Sequence, residues 1–183
     1  MTKKPNQLTS ALSIPKDPVR VLGVDPGLRG GLVLLKNGVV ESAHHMPMYR
    51  DSEGKSKIHL HELSELIIRL HPEVCVLEKT LPMPGLGLQS ISTTAINWGM
   101  VYTVVHLLKV PIVTVYPVSW TNAVHSIDKA TRLMDDPKQK SLLVYKKLYP
   151  KSPETHDGLV DATLIAFWWL WTSGVLSRMK SKT

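Results

Sequence analysis

Residues 20–36, RVLGVDPGLRGGLVLLK, restrict this chain more than any other stretch. An apolar run, Val21-Leu22-Gly23-Val24, ends in a single carboxylate, Asp25. A turn from Pro26 to Gly31 follows, then a second apolar run, Leu32 to Leu35. Short apolar runs bounded by Gly and Pro read as buried strands, and two joined by a Gly-rich turn read as a hairpin. Asp25 then stands where a central strand leaves the core. Two readings of it are open on this stretch alone. It is a turn residue that bonds its own backbone, or a carboxylate aimed at a ligand that its small neighbours let approach.

The same ending recurs downstream. Leu60, Leu63, Leu66, Ile67 and Leu70 recur at helical spacing and predict a helix over 59–70, stopped by Pro72. Val74 to Leu77 is again fully apolar and again ends in an acid, Glu78. A helix feeding a wholly apolar strand is the pattern of a parallel crossover. Between these, Gly38 turns the chain into a third strand, Val39 to Met46, and residues 49–57 read as a polar loop. A long helix is expected from Ser90 to Lys109, capped by Ser90 or Ser92. Ile112 to Val115 is a further strand. Tyr116 to Trp120 turns into a short polar helix with Ser119 as cap. Asp136 before Pro137 opens a helix that runs over 138–148.

The last helix begins near Asp157-Gly158-Leu159-Val160-Asp161 and continues to Trp171. Asp157 and Asp161 are i and i+4 and share a face, where like charges repel. Asp157 is explained at a helix start, as a cap or dipole partner. Asp161 has no such explanation. Phe167, Trp168, Trp169 and Trp171 read as core or as a subunit contact. Residues 1–18 read as a flexible basic arm, 19–174 as one domain, and 175–183 as a basic, frayed tail.

Charge narrows the partners. Lys plus Arg number 22 against 15 Asp plus Glu, a net charge of +7 that points to a polyanion. Two segments are candidates to meet it. The loop Lys79 to Leu88 carries Lys79, Leu81, Met83, Leu86 and Leu88, either as loop packing or as a wedge that contacts bases. Lys138, Lys140 and Lys146 make the helix after Pro137 basic, as a solvated face or as a face for phosphates. The single Cys75, inside an apolar run, excludes an intramolecular disulfide and a Cys-based zinc site. No apolar segment reaches the ~18 residues of a membrane span. The chain fits a reducing compartment, and a cytoplasmic location beside DNA is expected.

One acid at each of two strand ends and two on a late helix set up four carboxylates to meet. Buried together without a counter-charge, some would have to protonate. Divalent cations resolve this, and hard oxygen ligands suit Mg²⁺ or Mn²⁺. Two such ions per site serve an in-line displacement at phosphorus. The expected metal ligands are Asp25, Glu78, Asp157 and Asp161, and the expected activity is that of a metal-dependent nuclease. The acids alone do not choose the substrate. A nucleic-acid-binding protein without catalysis, its acids structural, is the alternative.

The order GVDPG, then VLEK, then HDGLVDA resembles the RuvC family of Holliday junction resolvases, within the ribonuclease H-like superfamily. The resemblance spans residues 19 to 172 and looks closest to the phage and organellar branch. A Gly-rich loop and a Trp-containing helix follow the Glu there too, and Pro117 and Trp120 match a Pro-x-x-Trp turn. It implies an α/β fold with a five-stranded mixed sheet, antiparallel strands first and parallel strands after, flanked by helices. It also implies a homodimer, four-way junction DNA as substrate, and paired symmetric nicks. Asp25, Glu78 and Asp161 match the family's metal-binding acids. The last pair departs, being spaced by four where many bacterial members have three, so His156 stands beside Asp157 as a candidate for the fourth position. The aromatic residue that often inserts into DNA after the Glu is missing.

Overall fold

The computed structural model describes residues 13–79 and 87–180. The expectations for the rest of the N-terminal arm and for residues 181–183 lie outside the described residues. Five strands form one mixed sheet in the order β3-β2-β1-β6-β7. β1 (Arg20–Asp25) and β2 (Gly31–Lys36) pair antiparallel with Asp25 opposite Gly31, and β3 (Val39–His45) pairs antiparallel with β2. β6 (Val74–Glu78) lies parallel to β1, with Val24 opposite Leu77, and β7 (Ile112–Val115) lies parallel to β6. This is the mixed sheet expected, hairpin first and parallel strands after.

The central strands are apolar throughout because both of their faces are covered. Leu22, Val24, Cys75 and Leu77 pack under α1 (Leu60–Leu70) and α2 (Leu88–Leu107). Val21, Val74 and Val76 point the other way, toward α3 (Pro117–His125), α4 (Pro137–Leu148), α5 (Asp157–Thr172) and α6 (Val175–Lys180). Period-two alternation therefore puts Asp25 and Glu78 on the α5 side of the sheet. α5 is apolar nearly all round because it is enclosed between the sheet and its neighbouring helices. It comes so close to β1 that a Cβ on Gly23 would lie 1.9 Å from the Ala162 carbonyl oxygen.

Several boundaries differ from the sequence reading. Residues 49–57 form most of a small hairpin, β4 (Met48–Arg50) and β5 (Ser56–Ile58). Asp51 accepts from the Glu53 and Lys55 amides at its turn, and Gly54 takes a left-handed φ of 74°. α2 starts at Leu88 with Gly87 as its cap, so neither Ser90 nor Ser92 caps it. Tyr116 stands at the cap of α3 and Pro117 at its first position, which Pro suits because it lacks the N–H that would go unpaired there. Ser119 therefore lies inside the helix. The long segment 125–140 includes a 3₁₀ helix, Lys129–Leu133. Residues 175–180 form α6, and Arg178 bonds Asp17 and the Lys16 carbonyl.

Candidate active site

Three elements deliver three acids to one end of the sheet. Asp25 closes β1, Glu78 closes β6, and Asp161 lies one turn into α5. Each is pushed toward its neutral form, chiefly by burial. Asp25 is raised by desolvation, which outweighs the Gly27 amide bonding its Oδ1 at 2.9 Å. Glu78 is pushed up to about 7, by burial first and then by the charges of Asp25 and Asp161. Asp161 is likewise pushed up to about 7, by burial and then by Asp25. The three carboxylates thus feel one another inside a poorly hydrated setting. The Asp25–Gly27 bond is the turn reading of Asp25 realised, and the carboxylate still faces the other two acids.

Further side chains hold these acids in place. The indole Nε1–H of Trp120, a buried α3 residue, donates to Glu78 Oε1 at 2.7 Å. Ser141 on α4 hydrogen-bonds Asp161, and its Oγ also meets His125 Nε2 at 3.1 Å. α3 and α4 are therefore not only cover for the sheet. Each sends one polar group inward to one acid.

Asp25 and Asp161 face a cleft of about 370 Å³ also lined by Arg29, Lys138, His156 and Asp157. Asp157 sits farther out than Asp161, its side chain 53% exposed, and is paired with Lys138, Nζ to Oδ2 at 2.5 Å. His156 occupies the cap position of α5 without capping it. Its ring packs edge-on against His45, centroids 4.5 Å apart, and its Nδ1 is buried without a hydrogen-bond partner among the described residues.

Among the described residues no three His, Cys, Asp or Glu side chains are already gathered tightly enough to clamp a metal ion. The chemistry of the donors nonetheless fits one. Asp25, Glu78 and Asp161 are hard oxygen donors whose mutual repulsion a divalent cation would relieve, and the orphaned Nδ1 of His156 is one more unused donor on the cleft wall.

The remaining candidates are dispersed. Lys79 Nζ donates to the Tyr116 hydroxyl at 3.1 Å and lies over that ring. Leu88 opens α2 and is 83% exposed. Leu81, Met83 and Leu86 lie outside the described residues. Of the basic α4 face, only Lys138 lines the cleft. Lys140 is near His125, and Lys146 binds the Ser152 carbonyl at 3.0 Å, which ties down the loop before α5. Sequence reasoning passed over Arg29, Trp120 as a partner of Glu78, and Ser141. Arg29 had a signal, a cation inside the turn that follows Asp25. The others reach the site only through tertiary packing.

No protein-family model matches the sequence, and no curated protein does. Solved structures do match. The Thermus thermophilus RuvC structure superposes with a TM-score of 0.53 at 19% identity, covering 88% of this chain and 96% of that one. T. thermophilus RuvC in complex with Holliday junction substrate gives 0.53 at 15% identity, over 84% and 96%. The yeast mitochondrial Holliday junction resolvase Ydc2 gives 0.46 at 15%, over 92% and 87%. The chain has the ribonuclease H-like fold of RuvC.

Proposed function

We propose that this chain is a metal-dependent endonuclease that resolves four-way DNA junctions by paired symmetric nicks. The observation that carries it is the set Asp25, Glu78 and Asp161, three acids from three elements that raise one another's proton affinity at the open end of the sheet. The fold adds support, since RuvC shares it and has been solved with a Holliday junction substrate. The net charge of +7 supplies attraction for DNA.

Asp25, Glu78 and Asp161 would hold two Mg²⁺ or Mn²⁺ ions. His156 suits the fourth position better than Asp157, because its Nδ1 is unspent while Asp157 is committed to Lys138. Such ions supply Lewis-acid activation of water and charge stabilisation at phosphorus. The chain's own groups do the positioning. Trp120 and Ser141 orient the carboxylates of Glu78 and Asp161, and Gly27 fixes one oxygen of Asp25 and leaves the other open. Lys138 and Arg29 on the cleft wall draw in the phosphodiester, which water attacks at phosphorus as one P–O bond breaks.

A homodimer is part of this reading. α2 leaves Ile96 56% and Leu107 73% exposed, on a stripe with Gly99 and Thr103. A Cβ on Gly99 would meet nothing within 4 Å. Glycine weakens a helix interior, and among the described residues nothing uses the space it leaves. A second copy of α2 packed there would.

The test is nicking of four-way, duplex, flap and RNA–DNA hybrid substrates with Mg²⁺ or with chelator. The expected result is symmetric nicks on the four-way junction only, lost with chelator. Asp25→Asn and Glu78→Gln should bind the junction and cut at least about 100-fold more slowly. Normal cutting by both variants would overturn the site. Binding without nicking under any divalent ion would leave a junction-binding protein instead.

A further inference from the structure

The β4–β5 hairpin stands outside the five-stranded sheet, yet it is rooted at the end of that sheet where the acids lie. β3 ends at His45, opposite Gly31, and the next amide, that of Met46, donates to the Gly30 carbonyl at 3.2 Å. Met48 and Ile58 pack in the same apolar cluster as Leu28 of the β1–β2 turn. That turn thus borders the acidic cleft through Arg29 and Gly30 and anchors the root of the hairpin through Gly30. A two-stranded hairpin is marginal by itself, and only the inner face of this one adds to the core.

The outer face has a different character. Period-two alternation turns Met48 and Ile58 inward, and it turns Tyr49 and Lys57, which stand directly opposite each other, outward. Tyr49 is 47% exposed. Its ring leans edge-on against His59, centroids 5.6 Å apart. His59 is itself fixed, since its Nδ1 accepts the Glu62 amide at 3.2 Å as the cap of α1. The Tyr49 ring is therefore supported without being covered. The two acids of the hairpin are already engaged, Asp51 by the amides of its own turn and Glu53 by Lys55 at 2.6 Å. Arg50 bonds the Gly54 carbonyl, and Lys57 meets no carboxylate among the described residues. An opposed Tyr–Lys pair also steadies a hairpin. An open ring beside an uncommitted cation further matches a nucleotide, whose base stacks on the ring while its phosphate meets the cation.

We propose that the outer face of this hairpin takes an unpaired nucleotide of the DNA that enters the acidic cleft, its base stacked on Tyr49 and its phosphate at Lys57. This rests on the nuclease reading above, which brings the DNA to that end of the sheet. A base opens more easily at the branch point of a four-way junction than within a continuous duplex, where unstacking costs more. The contact uses a base face and a phosphate and touches no base edge. It therefore selects open DNA over closed duplex and carries no sequence preference.

The experiment measures binding in chelator, where nothing is cut, by the anisotropy of fluorescein-labelled oligothymidine, four-way junction and duplex over a series of salt concentrations. Tyr49→Ala should weaken binding of oligothymidine and junction about tenfold and of duplex less than about twofold, while Tyr49→Phe stays within about twofold on all three. Lys57→Gln should weaken oligothymidine binding and lower the slope of log affinity against log salt by about 0.7. That slope does not move with a merely structural loss, so Lys57→Gln covers the case in which Tyr49→Ala loosens the hairpin. Oligothymidine binding by Tyr49→Ala equal to wild type, a Tyr49→Phe variant as weak as Tyr49→Ala, or an unchanged slope in Lys57→Gln would overturn the proposal. Nicking in Mg²⁺ is scored separately. A wild type that binds as described and never nicks would overturn the nuclease and leave the platform standing. Nicking of the junction with binding indifferent to Tyr49 and Lys57 would overturn the platform alone.

Discussion

Glu78 and Asp161 hold protons that the unfolded chain would release. Their ordinary values are 4.5 and 3.8, and in the folded chain both lie at about 7. An acid whose folded value is raised favours the folded state less as pH climbs between the two values. Without metal, stability should therefore fall from about pH 4.5 to pH 7 and stay low above it. In chelator the melting temperature at pH 8 should be several degrees below that at pH 5.5, and Asp161→Asn should recover part of the loss at pH 8. Added Mg²⁺ should raise the wild-type value at pH 8 and do less for the variant. A flat pH profile in chelator would mean that folding does not raise the two acids. Asp25 and Glu78 were legible in the sequence because an acid that ends an apolar run is conspicuous. Asp161 was legible by elimination, lacking a capping role. Trp120 and Ser141 were not, because a side chain that crosses from one helix to another leaves no periodic trace.

The β1–β2 turn and the start of α5 fit together through glycines that play different parts. A Cβ on Gly30 would lie 2.2 Å from the Asp25 carbonyl oxygen, and one on Gly158 would lie 2.3 Å from the Arg29 carbonyl oxygen. Those glycines admit backbone, not a ligand. At Gly27 an added Cβ would be less crowded, 3.2 Å from Asp25 Oδ1 and 3.6 Å from the Gly30 amide nitrogen, so of these glycines Gly27 is the one whose missing side chain could leave room for DNA. Gly30→Ala should lower the melting temperature by more than about 5 °C, the mark of an overpacked core. Gly27→Ala should melt near the wild type yet nick at least about tenfold more slowly. Equal loss of stability in both would sink the distinction. Helices and strands were readable here from apolar spacing, as α1 and β6 show. The starts of α2 and α3 were not, because Gly87 and Tyr116 cap helices without a side-chain bond and so lack the Ser, Thr or Asp signal that Asp136 gives for α4.

At the scale of the molecule, the exposed stripe of α2 is the surface through which two copies would pair under the proposed function. Symmetric nicking of a four-way junction needs two sites held at a fixed distance, and a two-fold dimer supplies that. Ile96→Glu should leave the fold intact and yield a monomer by sedimentation, with single uncoordinated nicks in place of paired ones. A wild type that sediments as a monomer at micromolar concentration would remove α2 from that role. Among the described residues no helix is long and apolar enough to cross a membrane. The hairpin of β1 and β2 and the parallel crossover into β6 followed from the sequence, because a Gly-rich turn joins the first pair and a helix leads into the third strand, while the five-stranded sheet was what the resemblance implied. The α2 stripe did not, since an apolar helix with a partner outside the chain has the same pattern as one packed within it.

The order of assembly has a consequence for synthesis. β1 is made well before α5, yet Gly23 packs against the Ala162 backbone and Asp25 lies beside Asp161. A growing chain on the ribosome carries Asp25 and Glu78 for some seconds before Asp161 emerges, at ordinary elongation rates. During that interval the sheet lacks its covering helix and the third acid. Under the proposed function, a chain stalled before Asp161 would lack the third acid and should not nick DNA.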